Sequence, residues 1–320
     1  MKRKLRNGVN AFLAALIGLF FRLLSLVPRR WMAAAAKPLG DLWRTVDRRH
    51  RGIATKNVSL AYRLPEDDPF VRSTVKQCFR HLATVALELG SLYRINENNL
   101  DDHVVMHGVE HLKEASAQGK GVLFLTGHYG NWEIMALAAG ACLGVPLHIT
   151  ARPLDFVPLD IWLARMRERT GNTLVDKNRA AAKIAALLRK NGNVAIMLDQ
   201  NASWYDGVYI PFFGRVACTN KGMALFALRT GAAVVPAFSR RRPDGRYDVE
   251  IHPPLYVERT GDLKADVVRE TERFTRVIEE EVRKDPSQWM WVHRRWRIKG
   301  IPEHVRRRMD LPPGFVETEI

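Results

Sequence analysis

A chain of 320 residues with 47% hydrophobic side chains can bury a large core, which excludes a disordered protein. Its net charge of +16 implies an acidic partner: nucleic acid, anionic lipid or an acidic protein. Three widely spaced cysteines, Cys78, Cys142 and Cys218, form no CxxC pair and so exclude a disulfide framework and a zinc module. They read as buried small hydrophobes, which suits a reducing, cytosol-facing location.

The basic start, MKRKLR, leads into Ala11–Phe21, eleven residues without a polar side chain; Arg22, Leu23–Val27 and Pro28-Arg29-Arg30 follow. A helix from Asn7 to Pro28 would be about 33 Å long, against roughly 30 Å for a hydrocarbon core. Three readings compete: a cleaved signal peptide, a buried soluble helix, and a membrane anchor that spans or lies in the interface. The anchor is favoured, because Arg29 and Arg30 separate the apolar run from Ala34-Ala35-Ala36, and basic flanks suit anionic headgroups.

Residues 31–100 read as helical. Val71, Val75, Phe79, Leu82, Val85 and Leu89 repeat at helical spacing. The basic stretch RRHRGIATKNVSLAYR between the helices is either a solvated face or a surface for an anionic partner. From Val104 onward strands and helices alternate, which predicts an α/β layered sheet. Strands are expected at Val122–Thr126, Pro146–Thr150, Val194–Leu198, Ala233–Phe238 and Tyr247–His252. Helices are expected at Trp132–Leu143, Pro158–Thr170, Ala180–Lys190, from a Thr219 cap to Thr230, and at Asp262–Lys284. The tail from Ile301 is basic, then Pro-rich, and reads as peripheral.

In such sheets ligand sites gather at the carboxyl ends of strands. There this chain carries His128, Asn131 and Glu133; Arg152; Asp199, Gln200 and Asn201; and Ser239-Arg240-Arg241. The stretch GVLFLTGHYGNWE delivers His128 and Glu133 to one strand-to-helix turn as HxxxxE. In this reading Glu133 accepts from one imidazole nitrogen and fixes the tautomer, leaving the other nitrogen as a base for a hydroxyl. Glu133 could instead simply answer the helix dipole. Arg152 could hold a phosphate or carboxylate, or be an ordinary surface arginine. Asp199 could cap a helix or pair with Arg152. There is no HExxH, Walker A, GxGxxG or GxSxG pattern and no metal-ligand spacing.

HxxxxE at this position resembles the signature of the bacterial glycerolipid and lipid A acyltransferase superfamily. GHYGNWE, ARPLD at 151–155, LDQNA at 198–202, GVYIPFFGRVACT at 207–219, TGAAVVP at 230–236 and QWMWVHRRW at 288–296 resemble, in order, blocks of the lipid A late (lauroyl/myristoyl) acyltransferases. The resemblance implies a layered αβα sheet of the glycerolipid acyltransferase type with an N-terminal membrane-anchoring helix. Its implied division is an anchor at 1–30, a helical region at 31–100, an acyltransferase domain at 101–300 and a tail at 301–320. It implies transfer of a fatty acyl chain from acyl–acyl carrier protein to a hydroxyl of a lipid A (Kdo-lipid) precursor, without metal or cofactor. The setting would be the cytoplasmic side of a bacterial inner membrane whose anionic surface meets the basic chain.

Carried over by position, His128 is the general base and Glu133 its orienting carboxylate. Arg152 is expected near phosphate or the oxyanion, as is a backbone N–H near Gly130. Asn131, Asp199 and Gln200 are expected to bind substrate, and Phe212, Phe213, Gly214 and Thr219 to line its cleft. A lysophospholipid, a phosphatidylinositol mannoside or an amino-acid lipid would be alternative acceptors. A basic membrane-attached binding protein, perhaps for nucleic acid, is the rival of a different class; it leaves the polar strand ends unexplained and lacks a nucleic-acid-binding motif.

Overall fold

The computed structural model describes residues 2–144, 146–176 and 180–297; the tail expected from Ile301 lies outside them. Four helices come first: α1 (Lys2–Leu24), α2 (Arg29–Val46), α3 (Arg48–Tyr62) and α4 (Pro69–Glu88). Helix α4 starts where an Asp-Pro pair requires it. Asp68 accepts the Phe70 N–H, and Pro69 occupies the first turn, where no amide is needed. Short 3-10 turns at Leu89–Tyr93 and Leu100–Asp102 lead into the α/β part.

That part runs β1 (Val104–His107), α5 (Val109–Ala117), β2 (Val122–Thr126), α6 (Trp132–Leu143), β3 (Leu147–Ala151), α7 (Val157–Glu168), β4 (Thr173–Asp176), α8 (Ala180–Arg189), β5 (Asn193–Met197), β6 (Gly207–Phe212), β7 (Arg215–Asn220), α9 (Gly222–Thr230), β8 (Ala233–Arg241), β9 (Tyr247–Ile251) and α10 (Leu263–Lys284). The seven-stranded sheet has the order β1-β9-β8-β2-β5-β3-β4. Only the β8–β9 pair is antiparallel. This is the layered α/β architecture expected from the sequence.

All five side chains of β2 are buried, as a central parallel strand covered on both faces requires. Leu123 and Leu125 pack into a core with α3, α4, α8, α9 and α10. Val122 and Phe124 point to the other face, under α5 and α6. A third cluster joins α6 and α7 to the turns at 89–102 and to Ile17 and Phe21 of α1. Phe21 stacks on Trp162 of α7 with centroids 4.3 Å apart.

Some elements differ from expectation. Strands β4 and β7 lack an apolar run long enough to announce them, and the apolar run of β6 is interrupted by Pro211. Strands β6 and β7 form a hairpin closed by Phe213-Gly214, both at positive φ (52° and 69°). That backbone matches the two-residue turn favoured by strand twist. Thr219 lies within β7 and caps nothing; Asn220 Oδ1 accepts the Gly222 N–H at 2.8 Å at the start of α9. Cys78 and Cys218 are buried; the Cys142 side chain lies outside the described residues. In the basic stretch of α3, Asn57 is fully buried and donates to the Trp291 and His293 carbonyls, each at 2.7 Å. That face is therefore a structural tie to the C-terminal segment as well as a charged surface.

Candidate active site

Strands β2 and β5 are parallel neighbours with Thr126 opposite Met197. Two residues beyond that register lie His128 on one strand and Asp199 on the other. The sheet itself brings them together: His128 Nδ1 stands 2.9 Å from Asp199 Oδ1. The His128 backbone N–H and the Trp289 indole N–H both donate to Asp199 Oδ2, at 2.7 and 2.9 Å. Gly127 makes room for the carboxylate, since a Cβ there would lie 3.1 Å from Asp199 Cγ.

Asp199 is 2% exposed. Burial alone would push its pKa up. The charge of His128 and the hydrogen bonds from His128 and Trp289 outweigh that and hold it at about 2. An ionised carboxylate only accepts, so Nδ1 carries a proton, and in the neutral ring it is Nε2 that keeps the lone pair. Among the described residues no hydrogen bond engages Nε2. Two other histidines in this part of the fold are held neutral: burial pushes His81 and His293 down to about 4.

Glu133 does not orient the imidazole. Its carboxylate is a buried, two-pronged partner of Arg167 on α7, with Nε–Oε2 at 2.9 Å and Nη2–Oε1 at 2.6 Å. The Trp132 indole N–H also donates to it, at 3.1 Å. The helical phase accounts for this. Trp132 and Glu133 point to different sides of the first turn of α6, so Trp132 stands edge-on to His128 (centroids 5.0 Å, 70°) while Glu133 turns to the guanidinium. Glu133 thus touches Trp132, which stands against the imidazole, and not the imidazole itself. Breaking the buried pair leaves Arg167 unmatched, so Glu133→Ala is expected to cost about 3 kcal/mol of stability along with activity. Urea unfolding of this variant beside Glu133→Ala/Arg167→Met checks it: the double variant should recover stability.

Comparisons with known proteins give the family. The sequence pattern of the bacterial lipid A biosynthesis acyltransferases matches residues 2–298. The chain belongs to this family. The palmitoleoyltransferase of lipid A biosynthesis from Escherichia coli is 25% identical over 83% of the chain and 84% of its own length. The corresponding E. coli lauroyltransferase is 27% identical over 82% and 85%. A phosphatidylinositol mannoside acyltransferase of Mycolicibacterium smegmatis is more distant, at 23% over 67% and 69%.

Within this acyltransferase the other candidate residues separate. Arg152 lies at the end of β3, with β5 between it and β2. It is exposed and pairs with exposed Asp155 at 2.9 Å, not with Asp199. Gln200 is exposed beside Asp199. Asn131 is buried; its Oδ1 caps α6 at the Ile134 N–H, and its amide donates to Glu88 at 3.3 Å. Of the residues expected to line a cleft, three are buried in the core and one is exposed. Phe212 and Phe213 are buried in a cluster with Trp289, Trp291 and Trp296. Gly214 is an exposed hairpin turn. Thr219 is buried and accepts from buried Arg295 at 2.6 Å. This aromatic layer is the foundation that aims Trp289 at Asp199. Trp289 is the site residue that sequence reasoning missed; its signal was the Trp-rich block QWMWVHRRW.

The turn after His128 is held from behind. Gly130 N–H donates to the Gln288 carbonyl at 3.1 Å, and the Gly130 carbonyl meets His81 Nε2 at 2.9 Å. Gly130 has φ 58°, and a Cβ there would lie 1.7 Å from the Ser239 carbonyl oxygen. Gly130→Ala must therefore shift the turn or unfold it. A loss of about 3 kcal/mol or more is expected by thermal melting.

A cavity of about 50 Å³ lies between α6 and the sheet, lined by Phe124, Thr126, Trp132, Met135, Ala195 and Met197 among others. Trp132, the neighbour of His128, is part of its wall.

Proposed function

We propose that the protein transfers a fatty acyl chain from acyl–acyl carrier protein to a hydroxyl of a lipid A precursor at the cytoplasmic side of the inner membrane. Residues 101–300 would be the catalytic domain, residues 31–100 its helical support, residues 1–30 the anchor and residues 301–320 a tail. The observation that carries the reading is the His128–Asp199–Trp289 chain, with Nε2 unengaged and Trp132, which stands edge-on to the ring, in the wall of an apolar cavity. In this mechanism Nε2 takes the proton of the acceptor hydroxyl as its oxygen attacks the thioester carbonyl. The C–S bond then breaks, and the leaving thiolate takes the proton back from the imidazolium. Asp199, ionised throughout, orients the ring and balances its transient charge, as a carboxylate does behind histidine in the triads.

The cavity supports the acyl half of the reading. It is smaller than the roughly 300–1,000 Å³ of small-molecule sites, so a chain must push side chains aside. Met106, Met135 and Met197 in its lining repack readily. Thr126 Oγ1 lines the cavity, is buried and has no partner among the described residues. We assign it, rather than the Gly130 N–H or the exposed Arg152, as the donor to the carbonyl oxygen.

Mass spectrometry of lipid A from cells with and without the protein tests the reading, paired with transfer from labelled acyl–acyl carrier protein in vitro. One added acyl chain is expected. An unchanged lipid profile together with no transfer in vitro overturns it.

A further inference from the structure

Helix α2 has two unlike faces. Met32, Ala36 and Gly40, four residues apart, are buried against α4. The contact is close enough that a Cβ on Gly40 would lie 2.5 Å from Arg80 Cα. Small residues at this spacing lock the rotational phase of the helix, and the Asp41–Arg80 pair at 2.6 Å holds it further. With that phase fixed, Trp31, Leu39, Leu42, Trp43 and Val46 face outward; Trp31, Leu42 and Val46 are 62%, 59% and 72% exposed. A monomeric protein in water has no use for such a stripe.

Charge and position say what covers it. Up to residue 65 the chain has fourteen Lys and Arg against two Asp, so twelve of its sixteen net charges lie there. Twelve of the nineteen large hydrophobic side chains exposed among the described residues lie in the first 46. Leu23, Leu26 and Trp31, all exposed, continue the apolar surface of α1 across the turn into α2. Window 7–24 of α1 has a mean hydropathy of 1.6 and is almost wholly unburied. Apolar side chains bordered by basic ones, such as exposed Arg30, Lys37, Arg48 and Arg49, form the surface that an anionic bilayer takes.

We infer that α2 is a second membrane-contacting helix, lying in the interface with its stripe from Trp31 to Val46 among the acyl chains and its arginines at the phosphates. The inference rests on the membrane side of the reading above and not on its acyl-transfer step. One amphipathic contact is weak and reversible, and two signals make attachment stable. Because α4 packs on α2 and its His81 holds the Gly130 carbonyl, this contact also sets the catalytic turn at a fixed height above the lipid.

The test uses the full chain and vesicles of phosphatidylethanolamine with phosphatidylglycerol. Leu39→Glu/Leu42→Glu/Val46→Glu is expected to lower vesicle partitioning about tenfold or more, and turnover on detergent-dispersed substrates should be unchanged. A control at exposed apolar positions elsewhere, Tyr256→Glu/Leu263→Glu, should partition as the unaltered protein does. A fluorophore at Leu42→Cys should be quenched by lipid-borne quenchers only when vesicles are present. Wild-type partitioning of the triple variant overturns the inference. So does loss of its turnover in detergent, or protection of the fluorophore by rising protein concentration without lipid, which would make a second copy the occupant. Normal quenching in a protein that transfers no acyl chain would leave this inference standing and overturn only the proposed function.

Discussion

His128→Ala should lower acyl turnover by about a thousandfold, the size of effect that a lost general base produces. The fold should survive. His128 is partly exposed, and its backbone N–H, which Asp199 still accepts, does not depend on the side chain. The Trp289 indole keeps its bond to the same carboxylate. Circular dichroism and vesicle flotation should therefore match the unaltered protein while initial rates collapse. A folded His128→Ala protein within tenfold of normal turnover would remove the imidazole from the mechanism.

Asp199→Asn should be nearly as damaging, for a reason specific to this geometry. Two donors, the His128 N–H and the Trp289 indole, converge on Oδ2, while Oδ1 faces Nδ1. An asparagine must keep its carbonyl toward the two donors and so presents its NH2 to the imidazole. That forces Nδ1 to accept, moves the ring proton to Nε2 and occupies the lone pair that the reaction needs. A loss in kcat on the order of 10³ to 10⁴ is expected, measured with acyl–acyl carrier protein at saturating acceptor.

The same carboxylate makes a pH-dependent contribution to stability. Its folded pKa of about 2 lies below the ordinary 3.8. The contribution, about 2 kcal/mol, is therefore complete above about pH 4 and is lost as pH falls toward 2. Urea midpoints across that range should fall less steeply for Asp199→Asn.

How much of this is legible in the chain depends on the range of the interaction. The buried run Val122–Thr126, the histidine after it and the helical spacing in 71–89 are local patterns, and each lies where the pattern put it. The polar groups at strand ends were visible too, but their partners were not. Pairing His128 with Glu133 followed from nearness in sequence. Nearness across the sheet decided otherwise, because β5, separated from β2 by about 70 residues of chain, is its hydrogen-bonded neighbour. Phe212 and Phe213 sit in a block that resembles the family's, yet whether such a block lines a cleft or supports a core depends on what packs against it, here Trp289, Trp291 and Trp296.

The sequence alone therefore determined the α/β class, the histidine at the end of β2, the apolar N-terminal helix and, through six ordered blocks, the family. Each of these rests on periodicity or on residues within one short segment. Only the tertiary structure decided that Asp199 orients His128, that Glu133 belongs to Arg167, that Arg152 stands apart, and which face of α2 is left uncovered. Those outcomes depend on strand order and helix phase, which are set by contacts between distant segments and leave no local trace in the chain.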